Sequence, residues 1–201
     1  MQYETICVVA GGWSALQVDL AKLPGHIIGV NDAGLRMPHC HEIVTMDRLW
    51  FTFRLPKLKA LAQETWVRDS ATRGVEALPK EDWLHLFGND HESTELSDKP
   101  EVLNGTNSGF CAFNRAYVLR PKCIYLIAFD MRRGPQGQLH WYPPYSWARP
   151  QGTGDSKLKE WSAQFRAAHK KCKAAGIKVF TVGSWSLINE FPRVSAEFTN
   201  A

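Results

Sequence analysis

The stretch ICVVAGGWSAL, residues 6–16, carries an apolar run straight into two glycines, a tryptophan and a serine. Such a junction reads as a buried strand whose carboxyl end turns on a backbone shaped for close approach. Further apolar runs of strand length follow at 26–30, 42–45, 65–68, 124–128 and 179–182, several rich in valine and isoleucine. Their hydrophobicity is continuous rather than alternating, which predicts a sheet covered on both faces. Helical patterns lie between the runs, around 16–23, 47–53, 108–119 and 157–174, the last closed by Gly176. This alternation predicts an α/β fold built on a mainly parallel sheet flanked by helices.

A chain of 201 residues, 44% hydrophobic and holding eight tryptophans, can bury one sizeable core, so a single domain over residues 1–201 is expected. The formal charge of +4 comes from 24 basic and 20 acidic residues scattered along the chain, with no basic tract to mark a nucleic-acid-binding arm. Five cysteines stand far apart without a CxxC pair, which argues against a disulfide framework or a thiolate zinc site and for reduced thiols. The N-terminal apolar run is too short for a membrane span and lacks the basic flank of a signal peptide, so a cytoplasmic location is expected. Two segments resist assignment: the polar, acidic stretch 88–102 and the stretch 132–154, which carries Trp141, Tyr142, Tyr145 and Trp147 among prolines and glycines. A loop of that length and aromatic content reads as a lid or binding loop.

Ligands of open parallel sheets bind beyond the carboxyl ends of the strands. There the sequence places Gly11, Gly12 and Ser14 after the first strand, Asn31 and Asp32 after the second, Asp47 after the third and Asp130 after the fifth. The glycines lack the full GxGxxG spacing, so a dinucleotide site is weakly supported. Asn31 offers a donor and an acceptor to a ribose, base or sugar, and Asp47 reads best as a helix cap. The most informative stretch is NGTNSGF, residues 104–110, in which Asn104, Thr106, Asn107, Ser108 and Gly109 lead into an apolar helix. It suits an anion cradle at a helix N-terminus, the plainer reading being a helix start capped by Thr106 or Ser108. His140 stands beside Trp141, Tyr142 and Tyr145, where an imidazole can act as a base near neutral pH with phenols as donors. The His39-Cys40-His41 run has no third ligand nearby and makes a poor metal site.

Taken in order, VVAGGWSAL, GVND, NGTNSGFCAFNRAYVLRPKCIYLIAFDM and FTVGSWSLINEFP resemble the bacterial sialyltransferases that modify lipooligosaccharide, and a group of small phage-encoded proteins called norphogenetic proteins. The resemblance spans most of the chain and implies a Rossmann-like domain that holds a cytidine monophosphate (CMP) sugar without metal or further cofactor. By the same resemblance, Gly11, Gly12, Ser14, Asn31, Asp32, Asn104, Thr106, Asn107, Ser108, Gly109 and Asp130 fall in the donor site. His140 would deprotonate an acceptor, of unknown identity, while Tyr142 and Tyr145 steady the departing phosphate. The first loop reads Gly-Gly-Trp-Ser where the family has Gly-x-Gly-x-Ser, and His140 does not align by spacing with the family histidine. Two rivals remain: a magnesium-dependent pterin diphosphokinase-like enzyme with a similar core, and a non-catalytic phage module that binds a nucleotide or a protein through the aromatic loop.

Overall fold

The structure, a computed structural model, describes residues 3–75, 78, 80–90, 93, 95–147 and 153–198. Parts of the two unassigned stretches, residues 91, 92 and 94 in the first and 148–152 in the second, lie outside the described residues. Eight strands form one sheet: β1 (Thr5–Val9), β2 (His26–Val30), β3 (Glu42–Thr45), β4 (Thr65–Arg68), β5 (Leu84–Phe87), β6 (Cys123–Ile127), β7 (Lys178–Val182) and β8 (Arg193–Val194). Their order is β5-β4-β3-β2-β1-β6-β7-β8. Every neighbouring pair is parallel. The order switches at β1, which pairs with β2 through Val9–Gly29 and with β6 through Val9–Ile127. The crevice beyond the carboxyl end of β1 is therefore where a doubly wound sheet presents its ligand site.

The six runs read from the sequence are strands to within one residue at either end. β5 and β8 escape that reading for physical reasons. β5 is an edge strand with Leu86 exposed, and β8 has only two residues. Five helices complete the layers: α1 (Asp32–Arg36), α2 (Arg48–Leu61), α3 (Ser108–Val118), α4 (Asp155–Ala163) and α5 (Phe165–Ala174). The expected helix at 16–23 is instead a pair of 3-10 turns, Trp13–Gln17 and Leu20–Lys22, with Asp19 capping the second. The pattern over 157–174 is two helices divided at Gln164, whose buried side chain is turned to Thr106. α2 runs eight residues beyond the expected 47–53 and through Pro56; Trp50, Phe51 and Leu58 bury its inner side, and Ala62 ends it in left-handed geometry.

Strand residues alternate between two cores, as a pleated sheet with helices on both faces requires. Ile6, Val8, Ile28 and Val44 pack with Phe110, Phe113 and Phe165 of α3 and α5. Cys7, Val9 and Ile27 face Ala33 of α1 and Tyr142 of the aromatic loop. α3 is buried nearly all round, which is why it reads as apolar on every side. At the amino end of the sheet, buried Glu42 accepts from Arg115 Nε (2.6 Å) and approaches His26 Nε2 (2.8 Å), tying β2, β3 and α3 together. Among the described residues, no helix is long and apolar enough to cross a membrane.

Candidate functional site at the carboxyl edge of the sheet

A side chain at Gly12 would run into backbone, and one at Gly11 into the aromatic loop. A Cβ on Gly11 would lie 2.7 Å from His140 Nδ1 and 2.8 Å from the Tyr142 hydroxyl, and one on Gly12 would lie 2.4 Å from the Ala128 carbonyl oxygen. Gly12 donates its amide to that same carbonyl (3.0 Å), and the Gly11 carbonyl accepts from the Trp141 amide (3.0 Å). The glycine turn is thus the surface on which the aromatic loop docks. The Ser14 amide donates to Asp130 Oδ2 (2.9 Å), and its hydroxyl also bonds the Asp130 carboxylate. Burial raises the Asp130 pKa above the ordinary carboxylate value, with the two Ser14 bonds opposing the shift.

Strain gathers at this edge. Asn31 (φ 52°), Ala128 (φ 60°) and Met131 (φ 54°) follow strand ends with positive φ. Non-glycine residues hold such conformations at a cost of about 1–3 kcal/mol each, and they cluster at functional sites. Asn31 combines this backbone with a buried Oδ1 that has no hydrogen-bond partner among the described residues.

Across the edge, Ser108 Oγ accepts the Met46 amide (3.0 Å) and so fixes the start of α3 above the end of β3. Asn107, rather than Thr106 or Ser108, caps α3: its Oδ1 accepts from the Phe110 amide (2.9 Å). Its Nδ2 is buried without a partner among the described residues, and the residue is 9% exposed. Buried polar atoms are nearly always satisfied, so unpaired groups on Asn31 and Asn107 need an explanation.

Not every sequence candidate faces this opening. Asn104 is tied into the protein, donating to the Glu95 carbonyl (3.1 Å) and lying next to Asn114, while Thr106 is bridged to Gln164. Asp32 accepts Nε (2.8 Å) and Nη2 (2.9 Å) of Arg54 and Trp50 Nε1 (2.9 Å). Asp47 caps α2 through the Trp50 amide (3.1 Å), as the sequence suggests. Gly109 lies against the Asn107 side chain and the Phe129 ring. His41 Nδ1, in the His39–His41 run, accepts the Ile27 amide (3.0 Å).

The aromatic loop forms the other wall. The His140 ring stacks on Tyr142 (centroids 5.1 Å, interplanar 6°), and the Tyr142 and Tyr145 hydroxyls are 3.4 Å apart. His140 is exposed as a residue, yet the protein packed against its ring lowers its pKa from the ordinary value, so it is neutral at physiological pH. Burial pushes the Tyr142 phenol up to about 12 and raises Tyr145 further, so both are protonated donors. The loop is anchored by residues the sequence reading passed over: Trp147 stacks on Phe53 (4.3 Å), and Arg54 lies over Tyr145 and Trp147 (5.8 and 5.2 Å). Arg36 lies over Tyr142 (5.1 Å). Its position four residues after Asp32 on one helix was a usable signal, whereas Arg54 meets the site only through the fold.

Two grooves lie elsewhere on the surface, the second reaching the edge at Met131. One of about 560 Å³ runs along α5 past Glu95, Arg166 and Lys170, and one of about 160 Å³ is lined by Met131, Arg132 and Leu158. Backbone strain at Asn31 and Ala128, the buried polar atoms of Asn31 and Asn107 and the stacked histidine make the carboxyl edge the candidate site. Among the described residues, no group of three His, Cys, Asp or Glu is arranged to hold a metal ion.

No family model matches the chain, and no curated protein matches it. Its fold is similar to that of the sialyltransferase CstII from Campylobacter jejuni in complex with the substrate analogue CMP-3FNeuAc. The TM-score is 0.54 at 14% identity, over 95% of this chain and 86% of that one. A second structure of the same enzyme, with cytidine-5'-monophosphate, aligns at TM-score 0.46 and 15% identity, over 94% and 84% of the two chains. The α/β sheet of this chain and the sialyltransferase fold are thus alike in architecture over nearly their whole length.

Proposed function

We propose that the chain binds a CMP-sugar at the carboxyl edge of the sheet and transfers the sugar to an acceptor hydroxyl. The observation that carries this reading is the convergence of the side-chain-free Gly11-Gly12 turn, the unpaired Asn31 and Asn107 amides, and His140 stacked on Tyr142. The likeness in fold to a structure holding CMP-3FNeuAc supports the choice of nucleotide. In this reading neutral His140 accepts the acceptor proton as the new bond forms to the anomeric carbon. The bond from that carbon to the phosphate oxygen breaks, and CMP leaves with the electron pair. Tyr142 and Tyr145 donate hydrogen bonds to the charge developing on the phosphate. Asn31 and Asn107 hold the nucleotide or sugar; Gly12, Ser14 and Asp130 shape the turn beneath it.

The diphosphokinase alternative needs carboxylates free to hold magnesium. Asp32, Asp47 and Asp130 are each engaged by protein donors, which favours the transferase reading. The phage module alternative is separated by turnover. Release of CMP from a CMP-sugar, followed over a panel of saccharide acceptors, is expected for the wild type. His140→Ala is expected to lose about 10²-fold or more in turnover while keeping donor affinity. A His140→Ala protein with wild-type turnover would remove this mechanism.

A further inference from the structure

Asp32 carries one negative charge and faces two guanidinium groups. Arg54 takes both of its oxygens in a bidentate pair, at 2.8 and 2.9 Å, and Trp50 Nε1 adds a third donor at 2.9 Å. The carboxylate is thereby satisfied by short, charge-assisted bonds. Arg36 reaches it at only 3.6 Å, beyond hydrogen-bond range, and makes no hydrogen bond among the described residues. The count of charges around Asp32 therefore leaves one cation in surplus.

That surplus cation is placed for a ligand. The Arg36 side chain is 40% exposed and lies 5.1 Å from the centre of the Tyr142 ring, whose hydroxyl borders Gly11 and Tyr145. A guanidinium offers five fixed donors suited to phosphate, and among the described residues Arg36 spends none on a hydrogen bond, only a 3.6 Å ion pair with Asp32. The two phenols add neutral donors beside it.

We propose that Arg36 binds the phosphate of the nucleotide, sharing it with the Tyr142 and Tyr145 hydroxyls. This rests on the reading of the cleft as a nucleotide site. It adds to that reading a charge-bearing residue that decides between a phosphorylated ligand and its neutral nucleoside.

The test compares CMP with cytidine by titration calorimetry on the wild type, Arg36→Met and Arg36→Lys. The ratio of CMP to cytidine affinity is expected to fall at least tenfold in Arg36→Met and to recover in part in Arg36→Lys, with cytidine affinity unchanged. An unchanged ratio overturns the assignment, and so does an equal loss of cytidine affinity. Arg36→Gln gives the same comparison if the methionine variant folds poorly. If neither compound binds the wild type, the nucleotide reading fails by itself, and inorganic pyrophosphate decides the rest. Thermal stabilisation by pyrophosphate that depends on Arg36 upholds the anion site, while none, or an equal shift in both proteins, overturns it.

Discussion

At Asn31 backbone strain and the proposed donor site meet in one residue. Its φ of 52° with ψ of −131° disfavours a side chain, and the side chain it nevertheless carries leaves a buried oxygen unpaired. Replacement by glycine relieves the backbone and removes no side-chain hydrogen bond among the described residues. Asn31→Gly is therefore expected to melt at or above the wild-type temperature while binding CMP at least tenfold more weakly, checked by thermal melts and calorimetry. The opposite pairing, lower stability with unchanged binding, would make Asn31 a structural residue. Gly11→Ala makes the complementary case, since its Cβ would meet the His140 and Tyr142 side chains rather than backbone. Turnover should fall with a modest cost in stability of about 1–3 kcal/mol. For His140 itself the lowered pKa sets the sign. The neutral base persists below the ordinary histidine value, so the acid limb of the kcat/KM profile is expected below about pH 6.5. A limb at higher pH would contradict the assignment.

Among the elements, those with continuous apolar runs were legible and those set by tertiary pairing were not. Six strands stood out because burial on both faces favours short runs rich in Val and Ile, with polar residues mostly at their ends, and the start of α3 stood out because glycines and small polar residues precede an apolar helix. The identity of its cap did not, since Thr106, Asn107 and Ser108 all suit that role and only the fold shows that Thr106 is taken by Gln164 and Ser108 by the Met46 amide. The break between α4 and α5 was hidden for the same reason, because Gln164 is a good helix former whose side chain is called away. Likewise the sequence placed Asp32 in the donor site, whereas Arg54, twenty-two residues on, occupies both its oxygens. Phe165, at the start of α5, packs on Phe110, Phe113 and Phe129 with ring centroids 5.3 to 5.9 Å apart. Phe165→Ala is expected to cost about 3–5 kcal/mol in denaturant unfolding, the penalty of an aromatic-sized cavity.

Over the whole molecule, the proposed donor site and the buried ion-pair network occupy opposite ends of the sheet. The carboxyl edge holds strained backbone and unpaired amides, while the amino edge holds the Glu42 network with His26 and Arg115, whose guanidinium also lies 4.0 Å from the Trp66 ring centre. Burial alone would raise the Glu42 carboxyl, but the hydrogen bonds from His26 and Arg115 prevail and hold it below the ordinary value. Its contribution is therefore complete above the unfolded carboxylate value near ~4.3 and is lost as pH falls through the lower folded value. Glu42→Gln leaves Arg115 buried without its charge partner and should lose about 3–5 kcal/mol at neutral pH. It should also flatten the acid end of a series of melts.

The central claim is that the carboxyl edge is a nucleotide site, and thermal stabilisation by nucleotides tests it most directly. CMP, UMP, AMP, their diphosphates and a CMP-sugar would be compared with and without magnesium, at concentrations from 10 μM to 10 mM. A ligand at a hundredfold excess over its Kd adds about 2.7 kcal/mol, a rise on the order of 5–10 °C for a chain of this size. A rise with CMP and the CMP-sugar that does not depend on magnesium is the predicted result; no rise with any nucleotide, or one that requires magnesium and a diphosphate, would contradict it.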